Sequence, residues 1–168
     1  LNQMEVHWLV RGLLNDQELL PLLIPARNSL YISLLAAVTT VLAALPIAIL
    51  AVRFQSRLSR FFERAIYIGF GLPGVVVALS LVFFGINVAR PLYQSIWMLI
   101  FAFVVLFLPA SVGALRSSLL QVNPRVEEAA QSLGRSQWRV IFSVTVPLVM
   151  PGALAGGAMV FLLTMKEL

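Results

Sequence analysis

Four stretches of this chain carry no charged side chain: Asn28–Val52, Ala65–Ala89, Pro91–Leu115 and Val140–Met165, each at least 25 residues long. An α-helix rises about 1.5 Å per residue, so roughly 20 residues cross the ~30 Å hydrocarbon core of a bilayer. Each stretch is long enough. Inside hydrocarbon, every backbone N–H and C=O must find a partner within the protein, which leaves helices or a closed barrel. The stretches do not alternate in ten-residue segments, so the sequence predicts an all-α, polytopic membrane domain. Composition agrees: 60% of the 168 residues are hydrophobic and 11% charged, too little polar surface for a soluble domain.

The charges lie between the runs and orient them. Arg53, Arg57, Arg60 and Arg64 separate the first two runs; Arg116, Arg125, Arg135 and Arg139 separate the last two; Arg90 alone separates the middle pair. Short basic loops stay in the cytoplasm. The sequence therefore predicts four consecutive crossings, with the first and third links inside, and residues 87–95 and the stretch before Arg27 outside. The net charge of +5 marks span ends and forms no single patch for nucleic acid. The chain has no cysteine, which excludes disulfides and thiolate metal sites.

Residues 1–27 are mixed. "MEVHWLVRGLL" is expected to be the outer end of a truncated earlier span, with Trp8 at the interface. "NDQELLPLLIPARN" reads as an external loop, because Pro21 and Pro25 argue against a long helix. No signal peptide is apparent at Leu1, and the chain stops inside an apolar helical pattern at "TMKEL", so both ends are expected to continue in a longer protein.

The spans are irregular. Gly69, Gly71, Pro73 and Gly74 cluster in "IYIGFGLPGVVV". Such a cluster either kinks and unwinds a helix or packs it closely against another. Pro46 and Pro109 can bend the first and third spans, and Gly152 to Gly156 forms a small-xxx-small face suited to close helix approach. Lys166 and Glu167 end the fourth span; they either face a pathway or pair at the outer interface.

One polar segment stands out, "VEEAAQSLGRSQWR", residues 126–139. Asn123 can cap a helix and Pro124 suits its first position. Glu127 and Glu128 follow where the helix dipole favours anions. Ala129 and Ala130 favour helix and leave a flat side. Gly134 can close the helix in a left-handed turn. Ser136 can cap a second helix, "QWRVIFSVTV", running up to Pro147. Caps of this kind also occur in loops that merely join two spans.

The spacing is more specific than the caps. Glu128-Ala129-Ala130, three residues, Gly134, nine residues, then Val144-Thr145-Val146-Pro147 resembles the EAA loop of binding-protein-dependent ABC transporter permeases, with valine in place of Ile and Leu near its end. The resemblance implies the fold of a MetI-like permease domain over residues 28–168, with spans at about 28–52, 65–89, 91–115 and 145–168 and a cytoplasmic loop at 116–146. It implies that Glu128 makes a polar contact to an ATPase subunit, that Ala129 and Ala130 allow close approach, and that Gly134 makes the turn. Glu127, Arg135 and Trp138 are expected beside them. Gly71, Pro73, Gly74, Lys166 and Glu167 are expected along the translocation route.

The partners so implied are a dimer of ABC ATPases, a periplasmic substrate-binding protein, a second permease half or subunit, and membrane lipid. The location implied is the bacterial inner membrane. The chain has no G-x-x-x-x-G-K-[ST] loop, so ATP would be used by the partner, and no cofactor or metal is expected on this chain. "ALPIAILAVR", "GLPGVVVALSLVFF" and the terminal "FLLTMKEL" are most similar to the second half of ferric-iron permeases. Thiamine, polyamine, sulfate and phosphonate permeases share much of this character and stay as alternatives. An intramembrane enzyme lacks convergent catalytic groups here, since no aspartate lies in a span and His7 is the single histidine. A passive channel would not need the EAA pattern.

Overall fold

The computed structural model describes residues 16–54, 56–71 and 73–168, with side chains at most of these from residue 23 onward. The reading of residues 1–15, with Trp8 and His7, lies outside the described residues. All regular structure in the described part is helical. α1 spans Asp16–Arg53, α2 Arg57–Phe70 and α3 Gly74–Asn87. A 3-10 turn, Arg90–Leu92, precedes α4, Ile96–Gln121. α5 spans Pro124–Ser132, α6 Gln137–Leu148 and α7 Met150–Glu167.

α1, α4 and α7 pack against one another and form the body. Their shared core holds Ala44, Ala48, Ile49, Val112, Leu115, Leu119, Val149 and Ala153. Small residues set the helix spacing. A Cβ on Gly152 would stand 2.3 Å from the Cβ of Ser118, and one on Gly156 would stand 3.3 Å from that of Ala114. The small face seen in the sequence thus meets α4, along Ser111, Ala114 and Ser118. Buried hydroxyls follow the rule for apolar surroundings in part. Thr40 donates to the Ala36 carbonyl at 2.6 Å, closing a bond within its own helix.

Several expected boundaries moved. Pro21 and Pro25 do not end a helix: α1 passes through both. A proline removes one N–H bond and crowds the carbonyl four residues back, at about 3 kcal/mol. The remaining backbone groups of the 38-residue helix keep their own i to i−4 bonds, so it continues. The second run does not form one helix. It breaks between Phe70 and Gly74, and α3 has only 14 residues, about 21 Å of rise. The third helix begins at Ile96 and not at Pro91. Gln94 takes a positive φ of 62°, and Ser95 then caps the helix by accepting a bond from the Met98 N–H at 3.3 Å. At its other end α4 runs past Arg116 to Gln121.

The fourth run is bent. α6 does not stop at Pro147 but continues to Leu148, and α7 departs at 61°. Ahead of the proline, Ile141–Thr145 form a π-helical turn in which the Val146 N–H reaches the Ile141 carbonyl. The wider turn gives the proline ring room where an α-turn would crowd it. Among the described residues, two helices are long and apolar enough to cross a membrane, Leu23–Arg53 and Ile96–Gln121, and the bent α6–α7 pair makes a third if it is one span.

Candidate coupling site

The arginine-rich ends of α1, α2 and α4 come together with α5 and α6. α5 forms for local reasons. Asn123 Oδ1 accepts a bond from the Arg125 N–H at 3.1 Å, and Pro124 occupies the first turn, where no N–H partner is needed. The helix closes in a two-bond turn: the Gly134 N–H donates to Gln131 O at 2.9 Å, and the Arg135 N–H donates to Ala130 O at 3.4 Å. Gly134 has a φ of +81°, the left-handed region that glycine adopts without strain. Ser136 sits at the cap position of α6 but its side chain makes no capping bond.

Nothing lies within 4 Å of where a Cβ would stand on Gly134, so alanine there meets no clash. The cost is backbone strain alone. Gly134→Ala is expected to destabilise the turn by about 1–2 kcal/mol, and Gly134→Asn by less. Thermal unfolding of the two variants checks the order.

The two glutamates of α5 point in different directions. Glu128 is exposed. Glu127 is turned inward: its Oε1 accepts from Arg53 Nε at 3.0 Å and from the Thr145 hydroxyl at 2.9 Å. Arg53 also donates from Nη2 to the Val122 carbonyl at 3.1 Å. The side chains of Arg53 and Glu127 are only 13% and 14% exposed. One carboxylate therefore ties the end of α1, the start of α5 and the π-turn of α6 together. A cleft between these elements is lined by Arg53, Phe54, Glu127, Glu128, Gln131 and Ile141. A second bridge, Arg116 to Glu63, joins α4 to α2.

The outer side of the same knuckle is exposed and partly apolar. Ala129 is exposed and Ala130 half-buried. Leu133 is 84% exposed and Trp138 73%. Arg135 donates to the Ser143 hydroxyl at 3.2 Å. Leu133 was not singled out from the sequence, where it reads as an ordinary helix residue. Arg53 and Thr145 were not either. Arg53 counted only as a span-end charge, and nothing local links it to a residue 74 positions away.

The remaining expected site residues lie elsewhere. Gly71, Pro73 and Gly74 are exposed at the α2–α3 break, where a Cβ on Gly74 would touch Leu106 of α4 at 3.9 Å. Lys166 and Glu167 pair with each other at 3.7 Å at the last turn of α7, both well exposed. Among the described residues no group of three or more His, Cys, Asp or Glu side chains could hold a metal ion.

Apolar helices packed through small residues, with a polar helix–turn–helix knuckle at the arginine-rich end, define a polytopic membrane domain of the MetI-like permease type. The chain belongs to the family described as binding-protein-dependent transport system inner membrane component, which matches residues 41–168. It is 40% identical over 167 residues to the Fe(3+)-transport system permease protein FbpB 2 of Haemophilus influenzae, covering 98% of this chain and 33% of that protein. It is 35% identical over 158 residues to the molybdenum transport system permease protein ModB of the same organism, covering 83% of this chain and 68% of that one. It is 28% identical over 155 residues to the spermidine/putrescine transport system permease protein PotC of Escherichia coli K12, covering 92% of this chain and 57% of that one. The chain thus spans a third of the iron permease's length. Molybdenum was not among the alternatives drawn from the sequence.

Proposed function

We propose that this chain is part of the transmembrane permease of an ATP-driven importer, and that the α5–Gly134–α6 knuckle is gripped by a separate ATPase subunit in the cytoplasm. The observation that carries this reading is the division of labour on α5. Glu127 binds inward to the body, while Glu128 is exposed at the edge of the cleft and Ala129, Leu133 and Trp138 are left exposed around the turn. A surface of that make-up combines one charge, flat alanine backbone and two large apolar side chains, which suits insertion into a groove. The clustering of Arg53, Arg57, Arg60, Arg64, Arg116 and Arg125 beside it supports placing this end in the cytoplasm. ATP is hydrolysed by a dimer of the partner subunits, and this chain holds no cofactor of its own. A second permease half completes the pathway, and the break at Gly71–Gly74 is the part of this chain proposed to line it.

The substrate proposed is ferric iron, delivered by a periplasmic binding protein. Its support is the similarity to an iron permease over nearly the whole chain. The molybdenum permease relative gives a second reading its own support, since this chain covers more of that protein's length. The ligand that co-purifies with the binding protein of the same transporter decides between them.

The coupling reading predicts that Glu128→Lys leaves insertion and thermal stability unchanged, because the side chain is exposed and makes no ion pair among the described residues. Binding-protein-stimulated ATPase activity of the reconstituted transporter is expected to fall by roughly tenfold to hundredfold, as for loss of a central interface contact. Full stimulated activity in this variant would remove the knuckle from the ATPase contact.

A further inference from the structure

α2 carries a surface that the coupling reading leaves unused. Arg57, Arg60 and Arg64 are spaced three and four residues apart, so they share one face of the helix. All three are exposed, and with Phe61 they line one open cleft of about 340 Å³. Among the described residues none of the three forms an ion pair; the bridges at this end join Arg53 to Glu127 and Arg116 to Glu63. Like charges at this spacing repel, so a helix that displays them is favoured by a counter-anion.

The opposite side of α2 is fixed to the protein. The helix start is capped within itself, the Ser59 N–H donating to Ser56 Oγ at 3.0 Å and the Ser56 N–H to Ser59 Oγ at 3.1 Å. Ser59 is buried, and Glu63 holds Arg116 of α4. The arginine face therefore turns away from the body. Two apolar side chains lie on that same face, Phe61 at 66% exposure and Ile68 at 72%. α2 starts four residues after the end of α1, a helix long and apolar enough to cross a membrane, so it lies close to the bilayer surface. A helix with interleaved arginines and large apolar residues at that depth is suited to the headgroup–acyl boundary.

We propose that this face of α2 binds the headgroups of anionic phospholipids. Arg57, Arg60 and Arg64 take the phosphate oxygens, for which the planar guanidinium fork is matched. Phe61 and Ile68 enter the acyl boundary beside them. Free phosphate would satisfy the arginines but leave both apolar side chains in water, which favours the lipid. The proposal is independent of what the protein transports and of how α5 is gripped.

The test uses the full-length protein in nanodiscs of phosphatidylcholine with a photo-crosslinkable phosphatidylglycerol probe. In the wild type, the probe is expected to label the segment 57–68, to be competed by unlabelled phosphatidylglycerol and to weaken with salt. Arg57→Gln, Arg60→Gln and Arg64→Gln together are expected to lower the probe's affinity on the order of a hundredfold, while Arg90→Gln, in the 3-10 turn beyond α3, leaves it unchanged. The wild-type labelling map decides alone if the triple variant does not fold. Equal labelling by phosphatidylglycerol and phosphatidylcholine probes overturns the proposal. So does a segment 57–68 that cross-links to an ATPase or a second permease subunit and excludes lipid.

Discussion

Glu127→Ala is expected to loosen the knuckle from the membrane helices and, on the coupling proposed above, to uncouple transport from ATP hydrolysis. The carboxylate is the common acceptor for Arg53 and Thr145, and it is 14% exposed. Removing it leaves a guanidinium largely out of water with one remaining carbonyl partner, Val122 O. Breaking a fully buried pair costs about 3–5 kcal/mol, and a single bond to a charged group contributes about 1.5–3 kcal/mol. With the residual exposure here the lower range applies, so about 2 kcal/mol is expected. That is a factor of roughly thirty in the population of the docked arrangement. Glu127→Gln keeps an acceptor for Thr145 and should fall between. The measurement is thermal unfolding of the purified transporter in a double-mutant cycle with Arg53→Ala, alongside transport and ATPase assays. A coupling energy near zero between positions 53 and 127 would show that the pair does not act as a tie. Persistent ATPase activity with lost transport is the outcome expected if the tie transmits motion from α5 to α1.

A methyl group on Gly152 should do more damage than its size suggests. Its Cβ would lie 2.3 Å from the Ser118 Cβ and 3.2 Å from the Ala114 carbonyl oxygen. Neither obstacle can rotate away, because a Cβ and a carbonyl are fixed by the backbone. α4 and α7 must separate, which opens the core around Val112, Leu115 and Ala153. Gly152→Ala is therefore expected at the upper end of overpacking costs, about 3 kcal/mol, and Gly152→Val beyond it. Ser118→Gly removes the principal obstacle, so Gly152→Ala with Ser118→Gly should recover most of the loss. Leu154→Ala, at a 66% exposed position of the same helix, should change stability little. Melting temperatures of the four variants in one detergent test this. A double variant no more stable than Gly152→Ala would mean that the two helices do not meet at these residues.

Much of the fold was legible from local patterns. The charge-free runs mark where the apolar parts of the helices form, and Arg53 marks the end of α1, although α1 and α4 carry Arg27 and Arg116 within them. The cap at Asn123, the proline that follows it and the left-handed turn at Gly134 each depend on a few neighbouring residues, and each stands where the pattern placed it. The family, too, was legible, because its spacing of Glu128, Ala129, Ala130 and Gly134 lies within one short segment. Less legible were features set by competition between local preferences and packing. Pro21 and Pro25 signal a helix end, yet α1 continues through them. The glycine–proline cluster of the second run was compatible with a break or with close packing, and the structure contains a break. Pro147 signals a stop, and the chain places a π-turn before it and a 61° bend after it.

The sequence by itself determined where the apolar helical segments lie, though not all of their boundaries, where the turn of the knuckle falls and which end carries the arginines. These follow from backbone hydrogen bonding, side-chain shape and charge within a turn or two of each residue. Only the tertiary structure decided which of two adjacent glutamates faces inward, which helix the Gly152 face meets and, among the described residues, which arginines pair with carboxylates. Those outcomes depend on contacts between residues as much as 74 positions apart, where each side chain's partner is chosen by the packing of whole helices and not by its neighbours in the chain.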